Sequence, residues 1–178
     1  FTDNEYTVKQ KAVRNAYKVF NSSGEEVLRT KQKLFKMKEE FPFTDPEGDV
    51  VFRVKAQNVF DIAGDYTLTA EDGEPIAVLE KQFTFFKHVW RVRGPDDRLF
   101  ATIESGSAVV EALRNFSTLF GLIPHSYTIA GPGGERIGSI EGRFSLRDVY
   151  DIEIHDTGDA PREAIVAACI AVDALEGN

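Results

Sequence analysis

The sequence predicts a mainly β protein, a closed antiparallel β-barrel of about twelve strands around a central hydrophobic C-terminal α-helix. Two observations carry this prediction. Residues 164–172 have no polar side chain except one thiol, and the chain before them consists of short segments of alternating polarity separated by turn signals. A sheet closed around the helix would bury the helix on every side and remove the exposed sheet edges that invite aggregation.

Strands with one buried face are expected wherever apolar and polar residues alternate with a period of two. In HVWRVR, the side chains of His88, Trp90 and Val92 are predicted to face the core, and those of Arg91 and Arg93 the solvent. Similar segments are YTLTA (66–70), RLFATIE (98–104), SYTIA (126–130) and DVYDIEI (148–154). Turns are predicted at NSSGE (21–25), DPEGD (45–49), EDGE (71–74), GPDD (94–97) and GPGGE (131–135). A loose repeat of an aromatic-x-aliphatic strand and a Gly turn begins at Tyr17, Tyr66, Trp90 and Tyr127, and SAVVEALRNF (107–116) predicts one short helix.

The C-terminal helix is predicted to lie inside the protein and not in a membrane. Its apolar part, residues 164–175, would be about 18 Å long, whereas about 20 residues are needed to cross about 30 Å of hydrocarbon. Asp173 interrupts the segment, and an interfacial helix would need a polar face. Pro161 suits the start of a helix and Gly177 its end. Because most of the helix side chains are small, large aromatic residues on the surrounding strands have room to pack closely.

The composition predicts a single domain over residues 1–178, with a core rich in aromatic groups, since Phe occurs 14 times. The formal charge of −8 argues against nucleic acid as a partner, and against an anionic membrane contacting the whole surface. One cysteine excludes an internal disulfide and suggests a reducing compartment, so we expect a cytoplasmic protein, with a peripheral membrane position as an option. The opening FTDNEYTVKQ lacks the basic and apolar regions of a signal peptide.

Several segments resemble the LURP-one-related family, within the tubby-like and phospholipid-scramblase-like superfamily. They are YTVKQKAV (6–13), KQKLFK (31–36), VFDIAGDYTL (59–68), PHSYTI (124–129), GSIEGRFSLRDVYDIEI (138–154) and AIVAACIAVDAL (164–175). The resemblance covers nearly the whole chain and implies a twelve-stranded barrel wrapped around a hydrophobic C-terminal helix. It also implies two functional comparisons: tubby proteins hold phosphoinositide headgroups on a basic patch, and scramblases carry a proposed calcium-binding acidic segment before the last helix.

We expect no catalytic residues, no cofactor and no metal site. His88, His125 and His155 have no metal-ligand spacing, and Cys169 has no second cysteine beside it. His88 is expected in the core, and Cys169 is expected to act as a small hydrophobe. The acidic residues before the last helix favour a solvated rim over a calcium site, because they form no D-x-D-x-D-G loop. They are Asp148, Asp151, Glu153, Asp156 and Asp159.

Basic residues repeat with a period of two on three candidate strands, and we take them as a candidate patch for an anion or a lipid headgroup. They are Lys9, Lys11, Arg29, Lys31, Lys33, Arg91 and Arg93. If neighbouring strands align these rows, the barrel has a cationic patch despite its acidic total, and clustered Lys and Arg attract anionic lipid by about 1 kcal/mol each. The alternative is a solvated face with cross-strand ion pairs.

Three functions follow as hypotheses. The first, which we favour, is a non-enzymatic binding or scaffold module that presents its outer surface to an anionic lipid headgroup or a protein. The second is a scramblase-like activity linked to lipid and calcium, which would require the last helix to enter a bilayer. The third is a protein that binds or converts a small ligand at a barrel mouth, although no nucleophile, base and oxyanion donor come together in the sequence.

Overall fold

Twelve strands and one helix make up the described part of the chain. The computed structural model describes residues 1–11, 16–30, 40–57, 65–82, 87–106, 126–143 and 149–176. The strands are β1 Glu5–Lys11, β2 Ala16–Phe20, β3 Glu26–Thr30, β4 Phe41–Thr44, β5 Val50–Ala56, β6 Tyr66–Ala70, β7 Pro75–Gln82, β8 Val89–Arg93, β9 Leu99–Ser105, β10 Ser126–Ala130, β11 Arg136–Arg143 and β12 Val149–Ile154, and the helix is α1, Arg162–Glu176. The helix expected at 107–116 lies outside the described residues.

The strands form one closed antiparallel barrel in which each strand pairs with its neighbours in the chain. The first and last strands close the barrel, and their register places Val8 opposite Tyr150. Closure leaves neither β1 nor β12 with an unpaired edge. The predicted architecture of about twelve antiparallel strands is therefore confirmed.

Five hairpins at one end of the barrel share a single turn geometry. In the first, the N–H of Asn21 donates to the carbonyl of Glu25 and the N–H of Gly24 donates to the carbonyl of Asn21. The same pair of bonds recurs in the loops that start at residues 45, 70, 94 and 131. The third residue after each of these starting residues has a positive φ, 65° at Asp97 and 79–107° at the four glycines. Each is a three-residue loop with a type I turn and a bulge at the residue of positive φ, which is Gly in four loops and Asp97 in the fifth, and the five predicted turns are confirmed. We call this the hairpin end.

The alternating pattern places one face of each strand in the core. On β8, Trp90 and Val92 are buried while Arg91 is exposed, as predicted. Phe43 and Phe52 stack across β4 and β5 with ring centroids 4.5 Å apart. The prediction for His88 is wrong: its side chain is exposed, because the residue lies just before β8, where the alternation has not yet begun.

The helix α1 runs through the barrel and is buried along its middle. Residues 164–172 are each at most 1% exposed, which confirms the predicted position of the apolar segment. The helix packs against β6, β7, β8, β9 and β12. Its run of small side chains allows these strands to approach closely, so that strand residues such as Trp90 supply the bulk of the core. The predicted stop at Gly177 lies outside the described residues.

Arg162 fixes the point where α1 enters the barrel at the hairpin end. Its guanidinium donates to the backbone carbonyls of Asp3 and Ile154, at 2.8 and 2.9 Å, and to that of His155 at 2.8 Å. These bonds join the first turn of the helix to the N-terminal segment and to the end of β12. The helix start is therefore held at a defined position beside the first residues of the chain.

Candidate functional site

Three cations lie in line across the outer surface of β1, β2 and β3. Lys9 is opposite Lys18, and Lys18 is opposite Arg29. Their neighbours along the strands, such as Val19 and Leu28, are buried, so the three charged side chains point away from the core. Adjacent strands are about 4.8 Å apart, and the three positions therefore span about 10 Å. We call these three residues the cation row.

One carboxylate lies within the cation row. Glu26 accepts a hydrogen bond from the ammonium of Lys18 and another, at 2.6 Å, from the guanidinium of Arg29. Burial alone would raise the pKa of Glu26, but the bonds and charges of Lys18 and Arg29 outweigh it and hold that pKa below its usual value. Three positive charges thus face one negative charge.

Lys9 ends the row without a carboxylate. Its ammonium lies 4.3 Å from the centre of the Phe20 ring, a cation–π contact that leaves the charge exposed. Among the residues that the structure describes, Lys9 has no ion-pair partner. This end of the row is therefore the part that is free to meet an external anion.

The sequence predicted Lys9 and Arg29 for this surface but missed Lys18. A single lysine between Tyr17 and Val19 shows no period-two repeat of charge, and only the strand register brings it between the other two. Alternation within AYKVF was the signal that could have placed it on the outer face. The side chains of Lys11, Lys31 and Lys33 lie outside the described residues, so their part in the patch stays a prediction.

The predicted cations on β8 are on the other side of the barrel. Five strand steps separate β8 from β1 in one direction and from β3 in the other. Arg93 donates to Glu80 at 3.0 Å and lies 3.6 Å from a carboxylate oxygen of Asp97, so its charge is paired with carboxylates of β7 and of the loop between β8 and β9. Arg91 is exposed. The described members of the candidate patch therefore form two separate groups.

The comparison with known families decides the kinship of the chain. The profile of the LURP-one-related family matches residues 26–173. The chain belongs to the LURP-one-related family. An X-ray structure of a protein from Arabidopsis thaliana has the same fold, with a TM-score of 0.57 and 10% identity, over 95% of this chain and 89% of that one. No curated protein matches the chain.

Two of the acidic residues before the last helix of this LURP-one-related protein, Asp151 and Glu153, lie against other side chains. Asp151 accepts hydrogen bonds from Arg143 at 2.7 Å and from the Thr7 hydroxyl at 2.8 Å. One carboxylate oxygen of Glu153 lies 3.6 Å from the His155 ring. Asp148 lies outside the described residues. Within the described ranges, no three His, Cys, Asp or Glu side chains come together as a metal site.

Cys169 lies in the middle of α1 and is completely buried. Burial in apolar surroundings raises the pKa of its thiol far above the usual value, so the thiol remains protonated. This agrees with its expected role as a small hydrophobe. His125 lies outside the described residues, and His155 is exposed near the start of the helix.

Over the part of the chain that is described, no helix has the length and apolar character needed to cross a membrane. The helix α1 has 15 residues. It is therefore about 22 Å long, compared with about 30 Å of bilayer hydrocarbon.

Proposed function

We propose that this member of the LURP-one-related family is a non-enzymatic binding module whose cation row takes the phosphate groups of an anionic lipid headgroup. The observation that supports this most directly is the register of Lys9, Lys18 and Arg29. Like charges placed directly opposite one another destabilise a sheet. The row has three neighbouring cations and only one carboxylate between them, so binding of an anion would relieve the repulsion and stabilise the sheet.

The geometry of the row suits a headgroup with more than one phosphate oxygen to offer. Lys9 is exposed and lacks a carboxylate partner among the described residues, while Arg29 presents a guanidinium whose remaining N–H groups can bind phosphate oxygens. On this proposal the protein is cytoplasmic and meets a membrane from its surface, and the buried helix stays inside the barrel.

Vesicle flotation at low and moderate salt tests the proposal. Phosphatidylcholine vesicles are compared with vesicles that also contain phosphatidylserine or a phosphoinositide. We expect binding to the anionic vesicles alone, and Lys9→Gln should weaken it about fivefold, since one cation near an anionic surface contributes about 1 kcal/mol. Moderate salt should weaken binding as well.

Arg91→Gln is the matched control, because it removes one exposed cation from the opposite side of the barrel. It should leave binding unchanged. No binding to any anionic vesicle would refute the lipid form of the proposal and leave an acidic protein partner for the outer surface. Equal weakening by the two substitutions would show that overall charge, and not the cation row, attracts the vesicle.

A further inference from the structure

A cavity of about 810 Å³ opens at the hairpin end, beside the first turns of α1. This volume lies within the range of about 300–1,000 Å³ that is usual for ligand pockets. The cavity reaches buried Leu28, Phe52 and Ala167, and its rim includes half-buried Val27 and Val51. It therefore joins the apolar interior to the solvent.

The charged side chains that line the cavity are both acidic. They are Asp3 and Glu163, and no Lys or Arg is among the lining residues. Asp3 is held in place by a 2.7 Å hydrogen bond from the hydroxyl of Ser22. Glu163 is exposed in the first turn of α1 and has no hydrogen-bond or ion-pair partner in the part of the chain that is described.

The loops of the hairpin end, three of which contribute residues to the cavity lining, carry charge of the same sign. The five loops at 21–25, 45–49, 70–74, 94–98 and 131–135 contain ten Asp or Glu and one Arg. Clefts bordered by charge of one sign raise the local concentration of oppositely charged ligands. The field at this end of the barrel therefore favours a cation over an anion.

Three positive features lie near the cavity, and each is already engaged by a group of the protein. The N-terminus of a helix carries about half a positive charge, but Glu163 already lies in the first turn of α1 and offsets it. The guanidinium of Arg162 is engaged by the carbonyl groups of Asp3, Ile154 and His155. Arg98 donates to the carbonyl of Asp159 and lies over the ring of Phe100, 5.3 Å from its centre.

We propose that this cavity binds an organic cation with an apolar body, of the alkylammonium or arylammonium class. The apolar part lies against Leu28, Phe52 and Ala167, and the ammonium group lies at the rim between Asp3 and Glu163. This site is separate from the cation row, which lies on the outer face of β1–β3 and has the opposite charge. Binding here and binding to an anionic lipid are therefore independent properties.

Isothermal titration calorimetry and thermal unfolding with three matched probes test the proposal. The probes are octylammonium, octanol and octanoate, which share one alkyl chain and differ in charge. We expect octylammonium to bind most tightly, octanol to bind more weakly, and octanoate not to bind. Octanoate binding as tightly as octylammonium, or no binding by any probe, would overturn the proposal.

Substitutions separate the charge from the apolar wall. Glu163→Gln should lower the affinity for octylammonium about two- to fivefold, the effect of one exposed ion pair, and leave octanol unaffected. Glu141→Gln, at an exposed position of β11, is the matched control and should change neither probe. Equal effects of the two substitutions on octylammonium would contradict the assignment of the ammonium site.

Val51→Trp should fill the rim of the cavity and weaken both octylammonium and octanol. Since Val51 is half-buried, its larger replacement has space on the solvent side, and a melting transition checks that the variant folds. Ile76→Trp, at another half-buried lining position, serves if the first variant does not fold. Unchanged affinity in a folded variant would place the probes elsewhere and refute the site.

Discussion

Shortening Ile170 to Ala should destabilise the protein by about 3–4 kcal/mol. Ile170 is 0% exposed in the middle of α1, so the substitution removes three carbon atoms from a fully buried side chain. At about 0.8 kcal/mol per methylene, the lost transfer free energy is about 2.4 kcal/mol. The space left between helix and strands adds a further 1–2 kcal/mol or so, because a closed barrel has little freedom to collapse around it.

Urea unfolding followed by the fluorescence of Trp90 measures this loss, because Trp90 is the one tryptophan of the chain and is 1% exposed. The melting temperature should fall by about 6–16 °C. Leu175→Ala is the control: Leu175 lies on the same helix but is only half-buried, so its loss should be about 1 kcal/mol. Equal destabilisation by the two substitutions would contradict a helix enclosed along its middle.

Three further predictions concern single positions. Asp97→Gly should stabilise the protein by up to about 1 kcal/mol in the same assay, because glycine adopts the φ of 65° at this position without strain and the ion contact of Asp97 with Arg93 is highly exposed. A loss of stability would show that the contact with Arg93 outweighs the backbone strain. Gly138→Ala should destabilise the protein by about 1–3 kcal/mol, because the added Cβ would lie 2.2 Å from the Glu153 carbonyl oxygen. Gly133→Ala is the control and should be neutral, because its Cβ would meet mainly the flexible Glu135 side chain. Similar losses of stability in both variants would refute the steric argument. The pKa of Glu26 is lower in the folded protein than its ordinary value of about 4.3, so its contribution is fully present above that pH and is lost as the pH falls through the folded-state pKa. In Glu26→Gln, the free energy of unfolding measured with urea should therefore fall less steeply as the pH is lowered. An equally steep fall in the variant and the unsubstituted protein would contradict the prediction.

Local sequence signals were sufficient to predict the fold. The five turns depend on residues that tolerate a positive φ, and these are recognisable one loop at a time. The helix was predictable because residues 164–172 are apolar on all sides, and such a helix must be surrounded by protein or lipid. Its length then excluded a membrane span. His88 was misplaced because one residue before a strand the alternation no longer determines which way a side chain points.

The candidate site was less predictable, because it depends on which strands are neighbours. Period-two spacing correctly indicated that Lys9, Arg29 and Arg91 lie on outer faces, but it has no information on position around the barrel. Register is set by pairing between strands, which placed Lys18 between Lys9 and Arg29 and put Arg91 five strands away. A small-ligand site at a barrel mouth was one hypothesis from the sequence, but no residues could be named for it, since the cavity is formed where half-buried residues of several strands meet the start of α1.

Labelling of Cys169 by a thiol reagent tests most directly that the apolar helix is enclosed by the barrel. The chain has one cysteine, and it is fully buried with a raised thiol pKa, so it should react only when the protein unfolds. For a stability of at least about 5 kcal/mol, native labelling should be slower than labelling of the urea-unfolded chain by about 10³-fold or more. A native rate within about tenfold of the unfolded rate would mean that the helix lies open to solvent, and the enclosed arrangement would be wrong.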